Sequence, residues 1–142
     1  MLDYLESHQI TGSLLIKIDT EGLDALIVDS LRPRWEKDIV SFVIEFNPLH
    51  FSPYERGREF LRKLATDFVL YDIYYCPNPS RFRQIDETGL DEFYDGVCKT
   101  RPHFYTDILL IPKRLPGLEE VIARLNKLNA VAGHYFLVSP SV

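Results

Sequence analysis

The feature that most constrains this chain is a short, nearly unbroken apolar run, Ser13-Leu-Leu-Ile-Lys-Ile18. It lies between two turn clusters, Thr11-Gly12 and Asp19-Thr20-Glu21-Gly22. A run of this length bounded by turn residues predicts a strand covered on both faces, the pattern of parallel sheets. A helix is predicted next, because Leu23, Leu26, Ile27 and Leu31 recur at helical spacing until Pro33 ends or kinks it. The same alternation then repeats. Ile39–Ile44 predicts a second strand, ended by Glu45-Phe-Asn-Pro48. Ser52-Pro53-Tyr54-Glu55 predicts a capped helix start, followed by an apolar face of Phe60, Leu61, Leu64 and Phe68. Phe68–Tyr75 and Thr106–Ile111 predict two more strands, separated by an irregular polar stretch over 76–103 with a short helical turn near Leu90–Tyr94. Leu2 and Leu5 suggest a short opening helix within Met1–His8. A last amphipathic helix runs from Leu118 to Leu128, and the tail from Ala130 to Val142 is a further strand or a docked arm. Strands alternating with helices predict an α/β fold with a mainly parallel sheet of about four to five strands.

Composition narrows the function classes. The 142 residues amount to one domain, 1–142. Sixteen basic against twenty-one acidic side chains give a net charge of −5, which argues against a nucleic-acid or anionic-membrane partner. No apolar run approaches the about 20 residues of a membrane helix. The opening MLDYLESHQ lacks the apolar core of a signal peptide. Two cysteines, Cys76 and Cys98, are too few for a disulfide scaffold, and the default expectation is a cytoplasmic protein with reduced thiols.

In open α/β sheets ligands bind beyond the carboxyl ends of the strands. Two strands here end in polar clusters, Asp19-Thr20-Glu21 and Glu45-Phe46-Asn47. If these strands are neighbours, Asp19 and Glu45 lie about 5 Å apart laterally. Carboxylates that close perturb one another or share a cation. The plainer reading has Glu21 stabilising a helix start and Asp19 bonding turn amides. Lys17, inside the apolar strand, either pairs with a strand-end carboxylate or snorkels at a sheet edge. The four histidines, His8, His50, His103 and His134, show no metal-ligand spacing, and His50 follows the second strand's end. Arg81, Arg83, Tyr94 and Arg101 offer recognition groups in the long polar stretch.

Leu15-Ile-Lys-Ile-Asp-Thr-Glu-Gly22 resembles the signature of the FkbM family of S-adenosylmethionine-dependent methyltransferases, which is lysine, a hydrophobic residue, aspartate, any residue, glutamate, glycine. In that family the signature ends the fourth strand of a Rossmann-like sheet. Leu2-Asp3-Tyr4-Leu5 resembles the segment ahead of that strand, Val43-Ile44-Glu45 the fifth strand with its terminal glutamate, and Thr106-Asp107-Ile-Leu-Leu-Ile111 the last strand. The resemblance runs from about residue 2 to residue 113. It implies a methyltransferase transferring a methyl group from S-adenosylmethionine to a hydroxyl of a small metabolite or sugar. Asp19 and Glu45 would be the catalytic groups, with Asp19 also near the donor. Lys17, Glu21, Asn47 and His50 would bind the acceptor.

The sequence departs from the family pattern in one respect. It has no G-x-G-x-G turn, the element that lets a backbone approach a nucleotide-like ligand. The resemblance therefore covers the C-terminal half of the domain, apparently without the cofactor-binding half. That predicts a sheet edge at residues 13–18, open to a second copy, a partner chain or the chain's own tail near Tyr135–Val138. Two other function classes stay open. One is a non-catalytic remnant or binding module, and the other a divalent-metal-dependent hydrolase using Asp19, Glu21 and Glu45.

Overall fold

The computed structural model describes residues 2–20, 22–73, 83–100 and 105–135. It is an α/β fold built on one open, five-stranded mixed sheet flanked by helices. The strands are β1 (Leu14–Ile18), β2 (Val40–Phe46), β3 (Phe68–Asp72), β4 (Arg83–Ile85) and β5 (Thr106–Pro112). The helices are α1 (Leu2–Ser7), α2 (Asp24–Ser30), α3 (Arg32–Trp35), α4 (Glu55–Asp67), α5 (Gly89–Thr100) and α6 (Leu118–Tyr135).

The sheet order is β1-β2-β5-β3-β4. Only β1 and β2 pair in parallel, and the other three pairings are antiparallel. The expectation of a mainly parallel sheet is therefore corrected. β1, β2 and β3 do run the same way, but β5 enters between β2 and β3 in the opposite sense. An apolar run such as Thr106–Pro112 carries no sign of its direction, so its pattern reads alike in either pairing.

The main core cluster lies on one side of this sheet, while Tyr71 and Ile111 are buried on the other. Phe42, Ile44 and Phe46 of β2 are buried on the cluster's side, with Ile108 and Leu110 beside them on β5. Against them pack Val28, Leu31 and Trp35 from α2 and α3, Leu61 and Leu64 from α4, and Leu90 and Phe93 from α5. At its centre Trp35, Phe42 and Phe68 meet edge to face, with ring centroids 5.2–5.8 Å apart, the arrangement that aromatic quadrupoles favour. β1 departs from its expected two-sided burial. It forms one edge of the sheet, Leu15 is 68% exposed, and Lys17 also faces solvent.

Several boundaries move. Glu45 and Phe46 belong to β2 rather than ending it. Pro33 lies in the first turn of α3, where its missing N–H costs nothing. The capping box expected at Ser52 does not form, since α4 begins at Glu55 with Tyr54 before it and no side-chain cap. The polar stretch contains β4 and the full twelve-residue α5. Asp86 starts that helix by accepting hydrogen bonds from the Gly89 amide and the Thr88 hydroxyl, and these bonds hold its carboxyl below the usual range. Residues 130–135 continue α6 rather than forming a strand. Expectations on Tyr74, Tyr75 and Phe136–Val142 lie outside the described residues.

The aromatic cluster yields a stability prediction. Phe42→Ala removes a fully buried ring touching two others and should cost about 3–5 kcal/mol in urea unfolding. A loss below about 1 kcal/mol would contradict this packing.

Candidate functional site

The carboxyl ends of β1 and β2 form the site. Ile18 pairs with Ile44, so the same register sets Asp19 beside Glu45, about one strand spacing away. On the other side of β2, Glu45 pairs directly with Asp107, the second residue of β5. Three carboxylates thus stand in a row across three neighbouring strands. Lys17 reaches this row from the exposed face of β1, its Nζ 3.4 Å from both Asp19 Oδ2 and Asp107 Oδ1. Both open readings of Lys17 hold together, for it is paired and exposed at a sheet edge. Burial works against its charge, but Asp107 and Asp19 outweigh that and raise its pKa. Such exposed pairs are worth little energetically, about 0–1 kcal/mol.

Among the described residues no lysine or arginine pairs with Glu45. Partial burial raises its pKa first, and repulsion from Asp19, Asp24 and Asp107 raises it further, with His50 opposing. Asp24, at the start of α2, is 5% exposed. Its Oδ2 accepts a 3.0 Å hydrogen bond from the Thr20 hydroxyl and a longer one from the Thr20 amide. Its Oδ1 is buried and receives no hydrogen bond among the described residues.

A cavity of about 280 Å³ opens beside these groups, between the start of α2, the end of β2, the segment after it and α4. Asp24, Glu45, Asn47 and His50 line it, with Ser52 and Arg56 near the first turn of α4. Its apolar wall is Leu26, Phe46, Phe51 and Phe60. Phe51 packs at 5.7 Å from Phe46 and 5.5 Å from Phe60, centroid to centroid. Two glycines permit this shape. At Gly57 a Cβ would sit 2.9 Å from the Tyr94 hydroxyl and 3.1 Å from the Phe51 ring. At Gly22 the backbone takes φ +109°, and a Cβ would meet the His50 ring at 3.2 Å, so glycine is required on both counts.

The structure brings together Lys17, Asp19, Glu45, Asn47 and His50, all expected from the sequence. Asn47 also has a local task, since its Oδ1 accepts from the Leu49 amide and caps the turn Pro48–His50. Glu21, Arg81 and Arg101 lie outside the described residues, as do Cys76, His103 and the side chains of Cys98 and His134. Two expected recognition groups are not at this site. Arg83 is on β4 at the opposite edge of the sheet, 3.7 Å from Glu92. Tyr94 is buried below the cavity wall and donates to the Tyr54 carbonyl. Sequence reasoning missed Asp24 and Asp107. Asp24 was legible as an acid two residues after Gly22 on a helix start, whereas Asp107 joins only because β5 runs antiparallel.

Among the described residues, no group of three or more His, Cys, Asp or Glu side chains is close enough to hold a metal ion. No helix among them is long and apolar enough to cross a membrane. No family model, curated protein or solved structure matches the chain.

Because the ionised form of Glu45 is disfavoured in the fold, its cost is present above the raised pKa and absent below the ordinary carboxylate range. Glu45→Gln should therefore melt higher than the parent at neutral pH, and the gain should shrink as pH falls through the carboxylate range. Thermal unfolding at neutral and acid pH checks this, and a variant less stable at neutral pH would contradict it.

Proposed function

We propose that this chain supplies the acceptor side of an S-adenosylmethionine-dependent O-methyltransferase of FkbM type, acting on a hydroxyl of a small metabolite or sugar. The observation that carries the reading is the convergence of Lys17, Asp19, Glu45, Asn47 and His50. These residues, singled out by the resemblance, lie at one end of the sheet, where Glu45, Asn47 and His50 line one cavity and Asp19, paired with Lys17, stands beside Glu45. In this reading Glu45 takes the proton of the acceptor hydroxyl, and its raised pKa suits that task. Asn47 and His50 orient the acceptor against the aromatic wall, and positioning supplies much of the acceleration.

The donor does not fit the residues present. The sequence has no glycine-rich turn, and the cavity lies just under the about 300–1,000 Å³ of typical ligand pockets. The reading therefore assigns the donor to residues outside this sequence, with the edge of β1 as the place where they join. The missing glycine turn also favours a second reading, a binding module of the same fold without activity.

Two measurements test the proposal. S-adenosylhomocysteine titrated calorimetrically into the 142-residue chain should not saturate below about 1 mM. In an extract of cells that express the chain, where a donor-binding partner is available, transfer from S-adenosylmethionine to a panel of hydroxylated acceptors should fall at least about tenfold with Glu45→Gln. No transfer to any acceptor, or transfer indifferent to Glu45→Gln, would overturn the enzyme reading.

A further inference from the structure

Large apolar side chains stand exposed around the mouth of the cavity, where core packing gives them no task. Leu26 lines the cavity yet is 68% exposed. Leu23 and Leu49 are 55% and 57% exposed. Leu23 stands in the chain between the lining residues Gly22 and Asp24, and Leu49 precedes the lining His50. Gly22 packs against the His50 ring, so the segments that carry these leucines meet at one rim. Single exposed leucines are ordinary, but a group of them beside a cavity marks a contact surface. Inside the rim, Phe46 and Phe60 are buried and Phe51 is half-buried, a row of rings 5.5–5.7 Å apart. The charged lining groups carry both signs, Asp24 and Glu45 against Arg56, so the ligand's class is read from the apolar surface.

We infer that the cavity takes a phenol, its ring against Phe46, Phe51 and Phe60, its hydroxyl toward Glu45, Asn47 and His50, and its outer edge covered by Leu26. An aromatic ring adds to the existing row in the offset or edge-to-face contacts that rings prefer. It also removes the exposed leucines at the mouth from water. A sugar would turn hydroxyls onto the same wall, where they lose water and meet no partner. A few polar groups beside an apolar wall suit a ligand with an apolar body and one polar handle. The hydroxyl rests on the methyl-acceptor reading given above, whereas the aromatic body rests on the cavity alone. The two agree chemically, because a phenolic hydroxyl, with a pKa of about 10, gives its proton to a carboxylate base more readily than an alkyl hydroxyl does.

The test is an NMR titration of the intact chain with 4-methylphenol and with glucose at neutral pH. 4-Methylphenol is expected to shift the ring resonances of Phe46, Phe51 and Phe60 and to bind at least about tenfold more tightly than glucose. Leu26→Ser, at an exposed position that folding does not depend on, and Phe51→Leu, which keeps apolar volume and removes the ring, should each weaken it at least about threefold. No 4-methylphenol binding at about 10 mM, no preference over glucose, or binding that both substitutions leave unmoved would overturn the inference. Self-association of the chain that Leu26→Ser abolishes, seen by light scattering, would assign the leucines to a protein contact and overturn it too. The two proposals fail separately. Binding of 4-methylphenol without methyl transfer leaves this inference standing and removes the enzyme reading, while methyl transfer to sugar hydroxyls and not to phenols does the reverse.

Discussion

The site depends on the direction of one strand. β5 runs antiparallel between β2 and β3, so its first residues lie against the last residues of β2. Had β5 run parallel, Asp107 would sit at the far end of the sheet and Glu45 would face an apolar neighbour. Instead Asp19, Glu45 and Asp107 come into one row, and Lys17 is drawn toward its two outer members. Among the described residues Glu45 forms no ion pair with a lysine or arginine, and the flanking acids raise its pKa against the opposing His50. Thr106, beside Asp107, is buried and donates to the buried Asp72 of β3, so the same strand end is also tied inward.

One packed layer sets the rest. α2, α3, α4 and α5 place apolar residues against one side of the sheet, around the Trp35–Phe42–Phe68 triad. A second aromatic group, Phe46, Phe51 and Phe60, backed by Tyr94, continues that layer, and its first three rings line the cavity. Core and site thus share one packed layer. Phe46 belongs to both, buried in the core cluster and lining the cavity. α4 and α5 are held across this layer by charge as well as packing, since Arg58 faces Asp95 and Arg62 lies 2.7 Å from Asp91.

Strongly periodic segments were legible in the sequence. The apolar runs of β1, β2, β3 and β5 and the spaced leucines of α2 and α4 all became the elements expected. The strand-end acids Asp19 and Glu45 were legible too, because a polar cluster ending an apolar strand has a predictable address in an α/β sheet. What escaped was set by partners distant in sequence. The direction of β5 has no local signature, so Asp107 was not seen as a site residue. α5 was legible only as a short turn near Leu90–Tyr94, although it runs from Gly89 to Thr100 with Leu90, Phe93 and Tyr94 buried. The sheet edge at residues 13–18 was expected from the missing half of the family pattern and is where β1 lies, but the exposure of Leu15 on the face away from the core cluster is not revealed by the apolar run itself.

The most direct test of this account is an NMR titration of the Glu45 side-chain carboxyl carbon, in the parent chain and in Asp107→Asn. Burial together with the flanking acids should place the parent's midpoint above the ordinary glutamate range. Removing the charge opposite Glu45 on β5 should lower it. An ordinary midpoint, or one unmoved by Asp107→Asn, would contradict the registered row of carboxylates on which the site is built.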